Sequence, residues 1–414
     1  MTGKRRFVVG PERTDMEEIR ESPDIAVVGG GICGLTTALA LERRGFEPAV
    51  FEAASEYRPV GAGILLQTNA LLVFDRLGIA DRLRDAGVPL DGSAICAPSG
   101  NVLKRFDLRF ERERFGHGFV SIHRADLLRI LLDELDAEVR TGKRCTEVTD
   151  PERPIVRFAD GTRVRPDVLV GADGIDSAVR EFVAPDVEPR SMEGIVYRAI
   201  AEAELPERYR TRGVEVWGEG TYTGGAPLGP DRFYWFGTAP ERLESDPSDP
   251  REPAATLRER FGEFPDPVPG VVGSLDPDAI FVTDLDDVPE LERWHRGSVV
   301  LAGDAAHAML PFGGQGAAQG VEDALALAHA IDTHGELSSA FRAYETDRKP
   351  RADRIRDESH RLGTVGTIES ALGTRARNVA VGLLPDALFR RFRQRRASQT
   401  TLPESPVSGS GSGG

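Results

Sequence analysis

Three glycines and one acid stand at a spacing that can hold a phosphate-linked nucleotide. Gly29, Gly31 and Gly34 form a G-x-G-x-x-G run, and Glu52 lies about 20 residues beyond them. In such a run the first glycine permits a tight turn, the second lets a pyrophosphate approach the backbone, and the third lets helix and strand pack closely. A helix opening there offers free N–H groups and a partial positive charge worth ~0.3–1 kcal/mol to an anion. A carboxylate placed like Glu52 can accept hydrogen bonds from ribose hydroxyls. These residues therefore point to adenine-dinucleotide binding. Two further glycine-bearing turns each carry an acid. One is Gly171-Ala172-Asp173-Gly174, followed by Ser177 and Arg180; the other is Gly303-Asp304, followed by Pro311 and Gly313-Gly314-Gln315-Gly316. Asp304 can accept a ligand hydroxyl or cap its own turn. Cys33, at the helix mouth, reads either as a thiol of lowered pKa or as a small residue filling a tight turn. His307 reads as a neighbour of the third turn.

The turns need strands and helices to hold them. Ile25 to Val28 is a short β-branched run that predicts a buried parallel strand. Leu35, Leu39 and Leu41 continue at helical spacing to Gly45, and Pro48 to Phe51 predict a second strand ending on Glu52. Buried strands are also expected at Val168 to Val170 and Ser298 to Leu301, each leading into one of the other turns. A long helix is expected from about Ala318 to His329. Between 186 and 294 aromatic residues concentrate and alternation replaces helical spacing, which predicts a mostly antiparallel sheet. The expected organisation is a polar extension over 1–21; a discontinuous nucleotide-binding domain from 22–90, 115–185 and 295–365; a substrate domain from 91–114 and 186–294; a C-terminal helical segment over 366–398; and a low-complexity tail over 399–414. Gly61 and Gly63 mark a loop after the second strand.

Composition narrows the function classes. With 414 residues and 40% hydrophobic content the chain can bury a large core. No run approaches the ~18 apolar residues of a membrane span. The three cysteines are scattered, so neither a disulfide framework nor a zinc cluster is expected, and a cytoplasmic location fits. A net charge of −15 argues against a nucleic-acid surface. Only four of the 52 basic residues are lysines. Carboxylate excess with so little lysine reads either as adaptation to high salt (a halophilic protein) or as biased genome composition. If salt is the cause, activity and melting temperature rise between low and molar salt; a flat response leaves composition alone.

The three turns in this order resemble the single-component (group A) FAD-dependent monooxygenases, the group holding salicylate and 3-hydroxybenzoate hydroxylases, FAD-dependent urate hydroxylase and zeaxanthin epoxidase. The resemblance spans most of 24–350 and includes GAGILLQTNA, the HRADLL box and WGEGTY…PLGPDRFYWF. It implies an α/β fold: a Rossmann-like FAD-binding domain of aromatic hydroxylase type, a second, mostly antiparallel β-sheet substrate domain, and C-terminal helices. It implies that Gly29 to Gly34, with Ile32 and Cys33 among them, hold the FAD pyrophosphate, that Glu52 and Ala53 meet the adenosine, and that Gly63 lines the flavin. Arg124 would reach the ribityl-phosphate region and Val148 would offer its backbone to the adenine. Asp304 would bind a ribityl hydroxyl, and Gly314, Gln315, Gly316 and Ala317 would lead a helix N-terminus to the flavin pyrimidine ring. Asp173 and Arg180 resemble a motif linked to both FAD and NAD(P)H.

The resemblance further implies that NAD(P)H reduces the flavin, that O2 adds at flavin C4a, and that the hydroperoxide gives one oxygen to a small, electron-rich, aromatic substrate. Tyr197, Arg198 and Tyr222 are expected on the substrate sheet as pocket wall, with Arg198 able to meet an anionic group. The alternatives are an FAD-dependent reductase of isoprenoid type and a non-catalytic FAD-binding protein. A monomer or homodimer without stable membrane insertion is expected. The segment 378–397 runs apolar residues into a cluster of arginines. It reads as an interfacial helix or, preferably, as a packed helix with cations near its negative dipole end.

Overall fold

The computed structural model describes residues 23–58, 62–239 and 252–403. The expected N-terminal extension, Gly61 and the tail beyond 403 lie outside these residues.

The nucleotide-binding part is built on a six-stranded sheet. Its order is His295–Arg296, Val299–Leu301, Val168–Gly171, Ile25–Val28, Pro48–Phe51 and Val139–Arg140. Ile25 aligns in parallel with both Val168 and Pro48, and Leu169 with Val299, so the three turn-bearing strands are neighbours ending at the same edge. Helices and a three-stranded antiparallel sheet, Cys145–Thr149, Ile155–Phe158 and Arg163–Val164, whose Phe158 stacks on Phe51 at 5.0 Å, cover the parallel strands, which explains why these are apolar throughout. Ile25–Val28 and Val168–Gly171 are buried at every position. Helices Ile32–Glu42 and Gly316–Thr333 pack together on one side. Their approach is close because both carry small residues: a Cβ on Gly320 would lie 3.1 Å from that of Cys33.

A seven-stranded sheet faces this unit. Its order is Phe281–Asp287, Arg190–Glu202, Arg232–Ala239, Tyr222–Pro227, Arg212–Trp217, Gly92–Cys96 and Val102–Asp107. All neighbours are antiparallel except Arg212–Trp217 with Gly92–Cys96. One face packs on helices Glu252–Phe261 and Val268–Gly273 around Trp235, Phe261 and Leu257. The other face turns toward the nucleotide-binding unit. The two meet at Gly63, where a Cβ would lie 2.4 Å from that of Tyr234, so only glycine fits.

The C-terminal stretch forms helices Leu337–Gly366, Ala371–Leu383 and Asp386–Ser398, the last two divided at Leu384-Pro385. None of the described helices is long and apolar enough to cross a membrane.

Candidate active site

A cavity of about 710 Å³ runs from the Gly29 turn to the seven-stranded sheet. At its first end the glycines are required by contact. Gly29 has φ of +104°, and a Cβ there would lie 2.2 Å from the Ala172 carbonyl oxygen; a Cβ on Gly34 would lie 1.9 Å from the Gly29 oxygen. Gly30 is equally constrained, by the Tyr57 hydroxyl and Glu52. Gly31 differs. Nothing lies within 4 Å of its Cβ position, and it borders the cavity. The helix beginning at Ile32 has no side-chain cap and no acid in its first turn, so its N–H groups remain available to an anion. Glu52 is fixed by accepting from Gly30 N at 2.6 Å and Ala54 N at 2.8 Å. Each oxygen keeps acceptor capacity for a further donor.

The middle of the cavity is bordered by Ala53, Gly63, Arg124, Arg144 and Asp173. Arg124 opens the helix Arg124–Glu134, with its backbone N–H held by Ala62 O. Asp173 accepts from the Ser177 hydroxyl and from Val179 N, and so organises the turn before helix Ala178–Val183. Arg180 turns away from the cavity, donating to the carbonyls of Ile175 and Ala305. It is a strut between two of the glycine turns. Asp304 is surrounded by protein, yet its side chain is open to the cavity, and burial pushes its carboxyl up from the usual range. Cys33 is not a low-pKa thiol. Burial, and then the nearby carboxylates of Asp323 and Asp304, push it well up, and its sulfur fills the space beside Gly303 and Gly320.

The Gly313–Gly316 loop is held from behind by amides. Gln67 Nε2 donates to Gly313 O and Gly314 O, and Gln315 Nε2 donates to Gln67 Oε1 at 2.6 Å. Asn69 Nδ2 bridges Gln315 and Glu322. The Gln315 side chain is fully buried, and Gly314, Gln315, Gly316 and Ala317 all border the cavity ahead of another uncapped helix N-terminus. Behind lies a charged cluster. Arg348 donates to Glu322 Oε2 at 2.6 Å and Asp323 Oδ1 at 2.8 Å, and Asp323 also accepts from Gly303 N and meets His307 Nε2 at 2.5 Å. Burial alone would raise the Asp323 carboxyl, but His307 and Arg348 outweigh it and hold it at about 2.

The far end is aromatic. Tyr222 stacks on Phe236 at 5.2 Å and meets Phe312 edge-on at 5.4 Å. Val196, Arg198, Tyr234 and Thr238 complete this wall. Arg198 is half-buried and donates to Thr283 Oγ1 at 2.7 Å. Glu215 stands among these rings, beside Tyr222, and accepts from Trp217 Nε1 at 3.3 Å. Burial pushes its carboxyl up.

Besides Gly34, which packs on the Gly29 backbone, and Arg180, two expected site residues lie off the cavity. Tyr197 sits between Val196 and Arg198, and side chains alternate along a strand. Those two therefore face the cavity, while Tyr197 enters the core with Trp235 and Phe261. Val148 pairs with Val156 and its side chain is buried in the main core; Lys143, Arg144 and Cys145 border the cavity at that end instead. Sequence reading missed Gly30, Glu215, Phe312 and the Gln67/Asn69 brace. A signal existed for Glu215: it is the one acid in the apolar alternation of Val214 to Trp217.

The cradle fits FAD. Its first end is a glycine turn at an uncapped helix with a carboxylate fixed beside it, and an open carboxylate and a second uncapped helix follow along one continuous space. Comparison with known proteins agrees. Residues 22–359 match the family described as FAD binding domain. The aurachin C monooxygenase/isomerase of Stigmatella aurantiaca is 35% identical over 351 residues, covering 84% of this chain and 90% of that protein. The 2-heptyl-3-hydroxy-4(1H)-quinolone synthase of Pseudomonas aeruginosa is 34% identical over 378 residues, covering 90% and 97%. Among solved structures, HpxO of Klebsiella pneumoniae complexed with FAD and uric acid superimposes with a TM-score of 0.82 at 27% identity, covering 91% and 97%. The chain belongs to the FAD binding domain family, within the single-component FAD-dependent monooxygenases.

Proposed function

We propose that this enzyme uses NAD(P)H and O2 to place one oxygen atom on an electron-rich aromatic ring bearing an acidic O–H or N–H, and that Glu215 accepts that proton. The observation that carries the reading is one cavity joining the dinucleotide cradle to an aromatic pocket with a carboxyl in its wall. When bound, FAD supplies the electrons and the activated oxygen. The chain's own residues do the rest. Gly31 and the helix N-terminus beside it would bind the pyrophosphate, Glu52 the adenosine ribose, and Asp304 a ribityl hydroxyl. The helix beginning at Gly316 would direct its positive end at the flavin ring, where negative charge develops on reduction. Tyr222, Phe236 and Phe312, already packed on one another, would present one aromatic wall to the substrate ring and exclude water. Arg198 would hold an anionic oxygen. The relatives' named compounds, a hydroxylated 4(1H)-quinolone, an aminohydroxybenzoate and urate, suit such a pocket.

The test is stopped-flow reduction of the FAD-loaded enzyme by NADH and by NADPH across hydroxybenzoates, 4-quinolones and purines. One class is expected to accelerate reduction and to yield a product carrying one atom from labelled O2. A yellow protein that oxidises neither nucleotide with any of them would be a non-catalytic FAD binder.

Glu215 gives a sharper expectation. A carboxyl works as a base only when ionised, and burial raises its pKa. The rate therefore rises with pH along an acid limb above the ordinary value of ~4.3. Glu215→Gln should lower kcat roughly 10²–10⁴-fold and remove that limb. Near-wild-type turnover with the limb intact would assign the proton to another group.

A further inference from the structure

We propose that the two C-terminal helices form a docking face for an anionic lipid bilayer. Helix Ala371–Leu383 has a buried inner face and an apolar outer stripe. Thr374, Arg377 and Val381 form the inner face. The outer stripe is Leu372, Ala376, Val379 and Leu383, at helical spacing. Leu372 is 80% exposed, Val379 62% and Leu383 79%. The next helix continues the pattern with Leu388, 53% exposed, and Phe392. Six of the nine exposed large hydrophobic residues among the described residues lie between 372 and 392. Single exposed apolar residues need no explanation, but a patch does.

The charge on the same face identifies the occupant. The chain carries −15, yet 371–398 holds seven arginines against one aspartate. Three of these arginines are committed to the fold: Arg377 binds the carbonyls of Trp217 and Gly218, Arg393 pairs with Glu111, and Arg396 with Glu358. Arg391 and Arg395 are exposed beside Leu388 and Phe392, with no carboxylate partner among the described residues. Exposed leucines with free arginines are the composition of a helix lying in a bilayer interface. A second copy fits less well, because a two-fold contact would bring this cationic patch against its own twin. The preferred sequence reading, a packed helix with cations serving its dipole, accounts for the inner face but not for the outer stripe.

The face also adjoins the aromatic end of the cavity. Ile368 O accepts from Gly220 N, Arg377 holds the Trp217 and Gly218 carbonyls, and Arg396 donates to Gly313 O. A docked enzyme would draw apolar aromatic substrates from the lipid phase at that end. This last step rests on the reaction proposed above; the docking itself does not.

The test is co-sedimentation of the full-length, FAD-loaded protein at low ionic strength. The probes are phosphatidylcholine vesicles with and without phosphatidylglycerol. Wild type should partition onto the phosphatidylglycerol vesicles roughly tenfold more than onto phosphatidylcholine alone, and salt should weaken it. Leu372→Glu/Leu383→Glu and Arg391→Gln/Arg395→Gln should each lose most of that binding, with FAD content and melting temperature unchanged because all four side chains are exposed. Wild-type protein that stays in the supernatant with both vesicles overturns the proposal. So does a concentration-dependent dimer, seen by light scattering, that Leu372→Glu/Leu383→Glu dissolves, since the face would then be a self-interface. Substrate-dependent turnover of soluble aromatics without vesicle binding would overturn the docking and leave the reaction standing.

Discussion

Gly31→Ala should cost the protein its FAD and leave the apoprotein as stable as before. The glycines of the first turn differ in what surrounds them. At Gly29, Gly30 and Gly34 an added methyl group would overlap protein atoms at 1.9 to 2.2 Å. Substitution there strains the fold itself, and overpacking costs roughly 1–3 kcal/mol or more. Lost cofactor in those variants would be ambiguous. At Gly31 the methyl group meets no protein atom within 4 Å, and the backbone, at φ of −76°, suits any residue. The only thing it can obstruct is a ligand approaching the helix mouth. Melting temperature of the apoprotein should therefore be unchanged, while FAD affinity falls tenfold or more, about 1.4 kcal/mol at the least. Apoprotein melting and FAD titration of the same sample measure both. Unchanged affinity would mean that the pyrophosphate does not sit on this turn.

Arg348→Met should be among the most destabilising single changes in the chain, by ~3–5 kcal/mol. The guanidinium is fully buried between Glu322, Asp323 and Gln319. Removing it leaves Glu322 to Arg351 and Asp323 to His307, one cation fewer for two buried carboxylates, and a buried charge left under-compensated is what makes breaking such a cluster costly. Denaturant unfolding of the FAD-saturated proteins measures the difference. Its pH dependence has a definite sign. Asp323 is held at about 2 in the folded protein against ~3.9 when unfolded. A depressed carboxylate contributes stability that is present above the unfolded value and disappears as pH falls through the folded one. The gap between wild type and Arg348→Met should therefore narrow as pH drops from ~5 toward 2. A gap that is constant or that widens would show that the cluster contributes packing rather than charge.

The three glycine turns were legible in the sequence because each follows a continuous apolar strand, and a parallel sheet buried on both faces leaves that signature. Their convergence follows from register: Ile25, Val168 and Val299 lie in neighbouring parallel strands. The α/β class was legible from those strands, and the antiparallel second sheet from the alternation over 186–294. The pocket wall was harder. On the seven-stranded sheet both faces are covered, so aromatic residues occur at successive positions and parity cannot be read from them. That is why Tyr197 was grouped with Arg198 although one faces helices and the other the cavity. Glu215, Phe312 and the Gln67/Asn69 brace come together only by tertiary contact across some 90 to 250 residues of chain, which no local pattern records. The outer stripe of helix Ala371–Leu383 was hidden for another reason. Its apolar residues look like core residues until the opposite face is seen to be the buried one.

Under the proposed function, one cavity grips both halves of FAD, the adenosine end at Gly31 and Glu52 and the ring end at Asp304 and Gly316. Titrating the apoprotein with FAD and with FMN, followed by flavin fluorescence, tests it most directly. FMN carries the ring and one phosphate but no adenosine. The expected result is saturation at about one FAD per chain, with FMN bound at least tenfold more weakly. A folded apoprotein that refuses FAD, or one that takes FMN equally well, would contradict it.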